Sequence, residues 1–257
     1  MLWATNEFLI LVLAYAAFLI VIELTFRLGF RHREHNDSTL IGHINALQAA
    51  LLGLLALLFG FTFSMAVTRF DTRKSLVVDE ANAIGTVYLR VQLLPNPQQK
   101  ELSDLLKVYV AQRLACAEAG ADQERLDTAF AAVSRTQSQI WKATAAASVQ
   151  SPTPISGSLF VQAVNAMIDV SETHRVALEN HVPEIVIYLL FINSIAALGF
   201  IAYGAGLTGK RRAGSTAIFA FLIAVVLTVI LDIDRPRRGF ITVTQGSMLR
   251  LQADMEK

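Results

Sequence analysis

Apolar side chains fill four long stretches of the chain, at residues 8–26, 44–67, 185–206 and 217–233. Each comes close to or exceeds the roughly 20 residues with which a helix crosses about 30 Å of hydrocarbon. The first stretch is expected to be a retained span and not a cleaved leader. No basic residue precedes it, it is too long for a leader's apolar core, and Glu23 to Arg27 offers no small-residue cleavage site. Glu23 and Arg27, four residues apart, are expected to pair along one helix face at the membrane boundary.

Between the second and third stretches the apolar positions recur with helical period. Leu76, Ile84, Tyr88 and Val91 form a stripe that stops at Leu94, Pro95, Asn96 and Pro97, and no breaker separates it from the second span. One continuous helix over residues 44–94 is predicted, about 75 Å long at about 1.5 Å per residue. A second helix of the insert is predicted over 98–119, with Leu102, Leu105, Tyr109 and Leu114 inward and Gly120 as its stop. A third starts near Asp122 and runs through Leu126, Phe130, Val133 and Trp141. Residues 151–158, with Pro152, Pro154 and Gly157, read as a loop, followed by a fourth helix over 159–180. Asn82 and Gly85 suggest a close helix crossing. Residues 247–255 form a short amphipathic tail helix. The fold class is thus an all-α membrane protein: four transmembrane helices with a helical-bundle insert between the second and third. The expected division is 1–68 for the first two spans, 69–183 for the insert, 184–233 for the last two spans and 234–257 for the tail.

Composition agrees. With 54% hydrophobic and 17% charged residues the chain is too apolar for a water-soluble domain of its length and cannot be disordered. A net charge of +1 gives no basic excess, so nothing in the overall balance points to a nucleic-acid binder, and the lone Cys116 excludes an internal disulfide. The lipid bilayer is the partner that composition implies; inorganic ions and further copies of the chain are partners if the second span lines a symmetric pore. Orientation follows from loop charge. Arg27, Arg31 and Arg33 in one short loop and Lys210, Arg211 and Arg212 in the other favour cytoplasmic short loops and an outside insert; Arg69, Arg73, Lys74, Arg235, Arg237 and Arg238 argue the opposite way.

The second span carries two faces. Ala49, Gly53, Ala56, Gly60 and Ser64 form a small-residue stripe suited to close helix packing. About 100° round the helix lie Leu52, Leu55, Phe59, Phe63 and Phe70, either a lipid or core face or an apolar ring round a symmetric pore that gates by dewetting. Because one re-entrant pair of spans separates them, the ends of the second and fourth spans are expected on one side of the membrane. Arg69, Arg73, Asp232 and Asp234 are then expected as a paired charge cluster at the mouth of the bundle. Asp71, Asp79 and Glu80 add carboxylates, which leaves cation recruitment open as an alternative. Asn193, in mid-span, is expected to serve helix packing. Gly204, Gly206 and Gly209 are read as merely ending the third span. His32, His35, His43, His174 and His181 lack zinc-enzyme spacing and are expected to be solvated or pH-responsive. Phosphate-binding loops, dinucleotide fingerprints and nucleophile elbows are missing from the sequence, so neither catalysis, a cofactor nor a bound metal is expected.

Three runs carry a resemblance: LGLLALLFGFTFSM at 52–65, VDEANAIGTVYLR at 78–90 and LDIDRPRRG at 231–239. In order and placement they resemble the bacterial bestrophin-like membrane proteins, over nearly the whole chain. The resemblance implies a homo-oligomeric ion channel of the bacterial inner membrane, pentameric as in bestrophins, with the second helix lining the pore. Its hydrophobic neck falls by position on Leu55, Phe59 and Phe63. It also implies a cytosolic insert, opposite to the short-loop charges. The acidic calcium clasp of animal bestrophins is matched only by Asp232 and Asp234, so calcium gating is not expected. The alternative function is a non-conducting structural or sensing membrane protein whose helical bundle binds a partner. In that case the small stripe of the second span would pack within one subunit.

Overall fold

A computed structural model describes residues 7–33, 38–120, 122–149, 154–237 and 239–257; His35, Pro152 and Arg238 lie outside the described residues. The regular secondary structure of the described residues is all helical: α1 (Glu7–Arg31), α2 (Ser38–Val91), α3 (Gln98–Glu118), α4 (Gln123–Val149), α5 (Pro154–Glu179), α6 (Glu184–Leu207), α7 (Ala213–Ile233) and α8 (Gly246–Met255). Four helical segments are long and apolar enough to cross a membrane, as the hydropathy pattern required. The chain divides into two compact units. One comprises the described residues within Met1–Thr68 and His181–Arg235, the other Arg69–Asn180 and Pro236–Lys257.

In the first unit α1 packs on α6 and α7, and α6 on α7. Its core gathers Phe18, Leu55, Leu190, Leu198, Ile223 and Leu227. Phe18 stacks on Phe191 with ring centroids 5.3 Å apart, and Tyr15 meets Phe221 edge-on at 5.5 Å. The α1–α6 seam is closed by glycine. A Cβ on Gly29 would collide with the Tyr203 carbonyl, and one on Gly206 would collide with the Phe26 carbonyl and lie 2.7 Å from Phe30 N. Gly206 therefore does more than end a span, which corrects the sequence reading: it lets two backbones touch. Outward, Phe8, Leu13, Ile20 and Leu24 of α1 and Ile218, Phe221 and Leu222 of α7 are exposed, a surface suited to lipid. Glu23 accepts from Arg27 Nε at 2.7 Å and from Arg211 Nη2 at 2.7 Å, the expected boundary pair with a second cation added.

The second unit is a bundle in which α3 packs on α4 and α8, and α4 on α5. Ile84, Val87 and Val91 of α2 join Leu102, Leu106, Tyr109, Val133, Ile140 and Met167 in its core. The buried stripe of α2 runs through Arg73, Val77, Glu80, Ile84, Val87 and Val91. Leu76 and Tyr88 are only half-buried, because helical spacing centres the face one residue away from them. The same shift corrects α4. Leu126, Val133, Ile140 and Ala147 recur every seven residues and are buried, which leaves Trp141 at 40% exposure. Gly120 adopts a left-handed φ of +56° and ends α3, and Asp122 Oδ1 accepts from Arg125 N at 3.1 Å to start α4. Of the expected loop at 151–158, residues 154–158 belong to α5, which begins at Pro154, and 151–153 lie outside the described residues. Proline fits the first helical turn, where its missing N–H leaves no bond unmade. The crossing expected at Gly85 is present: a Cβ there would sit 3.4 Å from Leu251 Cδ1 of α8.

Candidate functional site

The residues singled out on the second span divide by face. Ala49, Gly53, Ala56, Gly60 and Ser64 are all exposed, and a Cβ on Gly53 or Gly60 would meet nothing within 4 Å. The contrast with Gly29 and Gly206 is sharp, because the chain closes α1 against α6 with glycine yet leaves the small face of α2 uncovered. Phe63, flanking that face, is 43% exposed; Phe59, one turn earlier, is half-buried against the unit's core. Leu55 lies on the far side of the helix and is 3% exposed among Phe18, Leu190 and Leu227. Its side chain fills the core of the first unit and does not face outward. Asn193 is buried on α6, and its Nδ2 finds no hydrogen-bond acceptor among the described residues.

Of the four charged candidates, Asp232 and Asp234 sit at the end of α7, while Arg69 and Arg73 project from the middle of α2. Arg73 is fully buried, its Nε donating to the Ala177 carbonyl at 3.0 Å and its Nη2 to the Asn180 carbonyl at 2.7 Å. Arg69 Nη1 donates to Asn180 Oδ1. Arg73 thus satisfies backbone carbonyls at the C-terminus of α5, where the helix dipole favours positive charge, while Arg69 bonds the Asn180 side chain beside it. Asp234 is buried and its Oδ2 accepts from Val182 N at 2.7 Å, just before α6, where the dipole favours an anion. His181 Nδ1 donates to the Asp234 carbonyl at 3.0 Å. Asp232 is buried in the last turn of α7.

A buried polar cluster in the second unit was not foreseen. Glu80 of α2 receives Arg113 Nη2 at 2.8 Å and His174 Nδ1 at 2.7 Å, and all three side chains are nearly inaccessible. The carboxylate can only accept, so Nδ1 carries the proton. Burial opposes the Glu80 charge, but the bonds from His174 and Arg113 outweigh it and hold the carboxyl below its ordinary value. For Arg113 burial likewise disfavours the cation, and Glu80 reverses the balance upward. His174, at 4% exposure, is therefore not the solvated group its isolated position suggested. The signal was in the sequence: Arg113 continues the Leu102, Leu106, Tyr109 stripe, and Glu80 lies between Val77 and Ile84 on that of α2. A charge on a buried stripe demands a partner on another. Among the described residues no three His, Cys, Asp or Glu side chains converge as metal ligands.

Comparison with known proteins places this geometry. The sequence matches the Bestrophin-like domain over residues 12–248. No curated protein matches the chain. The fold is similar to the crystal structure of a bacterial bestrophin homolog from Klebsiella pneumoniae, with a TM-score of 0.67 and 14% identity over 95% of this chain and 97% of that one. A single-site mutant of that homolog superposes with a TM-score of 0.68 at 13% identity, over 96% of this chain and 98% of that one. A match over so much of the sequence, with an all-helical fold carrying four apolar helices, identifies the chain as a member of the Bestrophin-like family of membrane proteins.

Proposed function

We propose that the protein is a homo-oligomeric ion channel of the bacterial inner membrane, with a pore lined by α2. The observation that carries this reading is the uncovered small face of Gly53, Ala56, Gly60 and Ser64. A non-conducting protein that packed this stripe within one subunit would have closed it, as α1 and α6 are closed. Left open, it suits a neighbouring copy approaching round a central axis. Phe63, with Phe59 behind it, is then the apolar constriction, and Leu55 is excluded because it serves the subunit's core. Such a constriction gates by dewetting. Family membership and the fold support a membrane-embedded assembly, and the pentamer follows bestrophins. We assign residues 1–68 and 184–233 to the membrane part, 69–183 to the extramembrane helices and 234–257 to the tail. Arg69, Arg73, Asp232 and Asp234 are retained, on the sequence argument, as the charges that set the field at the pore mouth. Purified protein in liposomes is expected to pass ions down a potassium or a chloride gradient, tested separately. Sealed liposomes bearing folded oligomers would contradict the channel and favour the partner-binding alternative.

A further inference from the structure

The second unit holds a cavity of about 340 Å³. This lies within the range of small-molecule pockets, roughly 300–1,000 Å³. The Glu80, Arg113 and His174 cluster belongs to its buried wall, while Glu118 and Thr242 are exposed at its rim. Much of the remaining wall is apolar, from Leu114, Leu178, Pro236, Val243 and Met248.

The two guanidinium groups that line the cavity differ in their surroundings. Arg113 is neutralised by Glu80. Arg237 is half-buried with its guanidinium carbon 5.6 Å from the centre of the Phe130 ring, and its buried Nη2 has no acceptor among the described residues. Burial, helped by Arg113, pushes its pKa down, as happens to a cation short of a counter-charge. Glu118 makes no ion pair with it among the described residues, and Glu179 is engaged by Arg175 Nη1 at 3.1 Å. A buried polar atom left in this state is costly relative to a satisfied one, so an anion has a ready partner here.

We propose that this cavity binds a small organic carboxylate, its head on the Arg237 guanidinium and its apolar body against Leu114, Leu178 and Met248. An inorganic anion would satisfy Arg237 but leave the apolar wall and most of the volume unused. A neutral apolar molecule would leave the guanidinium unpaired.

Isothermal titration of the full-length protein in detergent tests this without reference to ion flux. The probes are sodium benzoate and sodium hexanoate, with benzyl alcohol and sodium chloride as the neutral and inorganic counterparts. Saturable binding of an acid is expected at one site per chain, at least tenfold weaker in Arg237→Gln and abolished in Thr242→Trp, with benzyl alcohol silent. Thr242 is exposed at the rim, so its replacement blocks the cavity without touching the core and decides the matter should Arg237→Gln fail to fold. Absence of saturable binding by both acids, binding indifferent to Thr242→Trp, or chloride occupying the site as tightly as the acids would overturn the proposal.

Discussion

His174 Nδ1 donates to Glu80 Oε2 at 2.7 Å between two helices 94 residues apart in sequence, at a point almost closed to solvent. With Arg113 on the same carboxylate, the three make one buried charged unit. Removing one member strands the others. Glu80→Gln is expected to cost about 3–5 kcal/mol, because Arg113 keeps its charge without a counter-ion. Thermal unfolding in detergent reads the loss. The pH dependence has a fixed sign. The folded carboxyl titrates below its ordinary value of 4.5, so its stabilisation is complete above that pH and is lost as pH falls through the folded value. Glu80→Gln should remove this part of the acid limb.

Glycine substitutions should separate the two kinds of helix contact. Gly206→Ala places a methyl against the Phe26 carbonyl and is expected to disrupt the α1–α6 seam, despite an intrinsic helix gain of about 1 kcal/mol. Gly53→Ala and Gly60→Ala meet no atom within the chain. They are expected to leave subunit folding intact while altering the oligomer, which gel filtration and cross-linking would report. Equal tolerance at all three sites would contradict both assignments.

Asp234 replaces a missing acceptor for the backbone at the start of α6. Asp234→Ala leaves the buried Val182 N–H unsatisfied and is expected to cost about 1–3 kcal/mol. Asp234→Asn keeps an acceptor oxygen and should recover much of the loss. A denaturation series on both variants checks the order.

Within α2, neighbouring aromatic and aliphatic residues should respond differently. Phe63→Ala is expected to raise ion flux with little loss of stability, since its ring is largely uncovered. Leu55→Ala removes a core side chain and should cost about 2–5 kcal/mol without a specific gain in flux. Paired flux and unfolding measurements distinguish the two.

Element positions were largely legible in the sequence because spans announce themselves by length and helices of the insert by period and by Pro95, Pro97, Gly120 and Asp122. What failed was phase. Leu76, Tyr88 and Trp141 each sit beside the true buried face, and one residue corresponds to about 100° of helix. The partition of the α2 face was only half readable: an apolar stripe looks the same whether Leu55 enters the core or Phe63 faces outward. The contacts of Gly29 and Gly206, and the meeting of Glu80, Arg113 and His174, depend on which helices become neighbours, and single-helix periodicity carries no such information.

The most direct test of the central claim, that α2 lines an ion-conducting pore, is cysteine modification in a Cys116→Ser background. Cysteine is placed in turn at Phe63, Gly60 and Leu55, and currents are recorded before and after a charged, membrane-impermeant thiol reagent. The account predicts that modification at Phe63 or Gly60 alters the current and that Leu55, enclosed in the core, is silent. Currents unchanged by modification at Phe63 and Gly60, in oligomers shown to have reacted, would remove α2 from the pore.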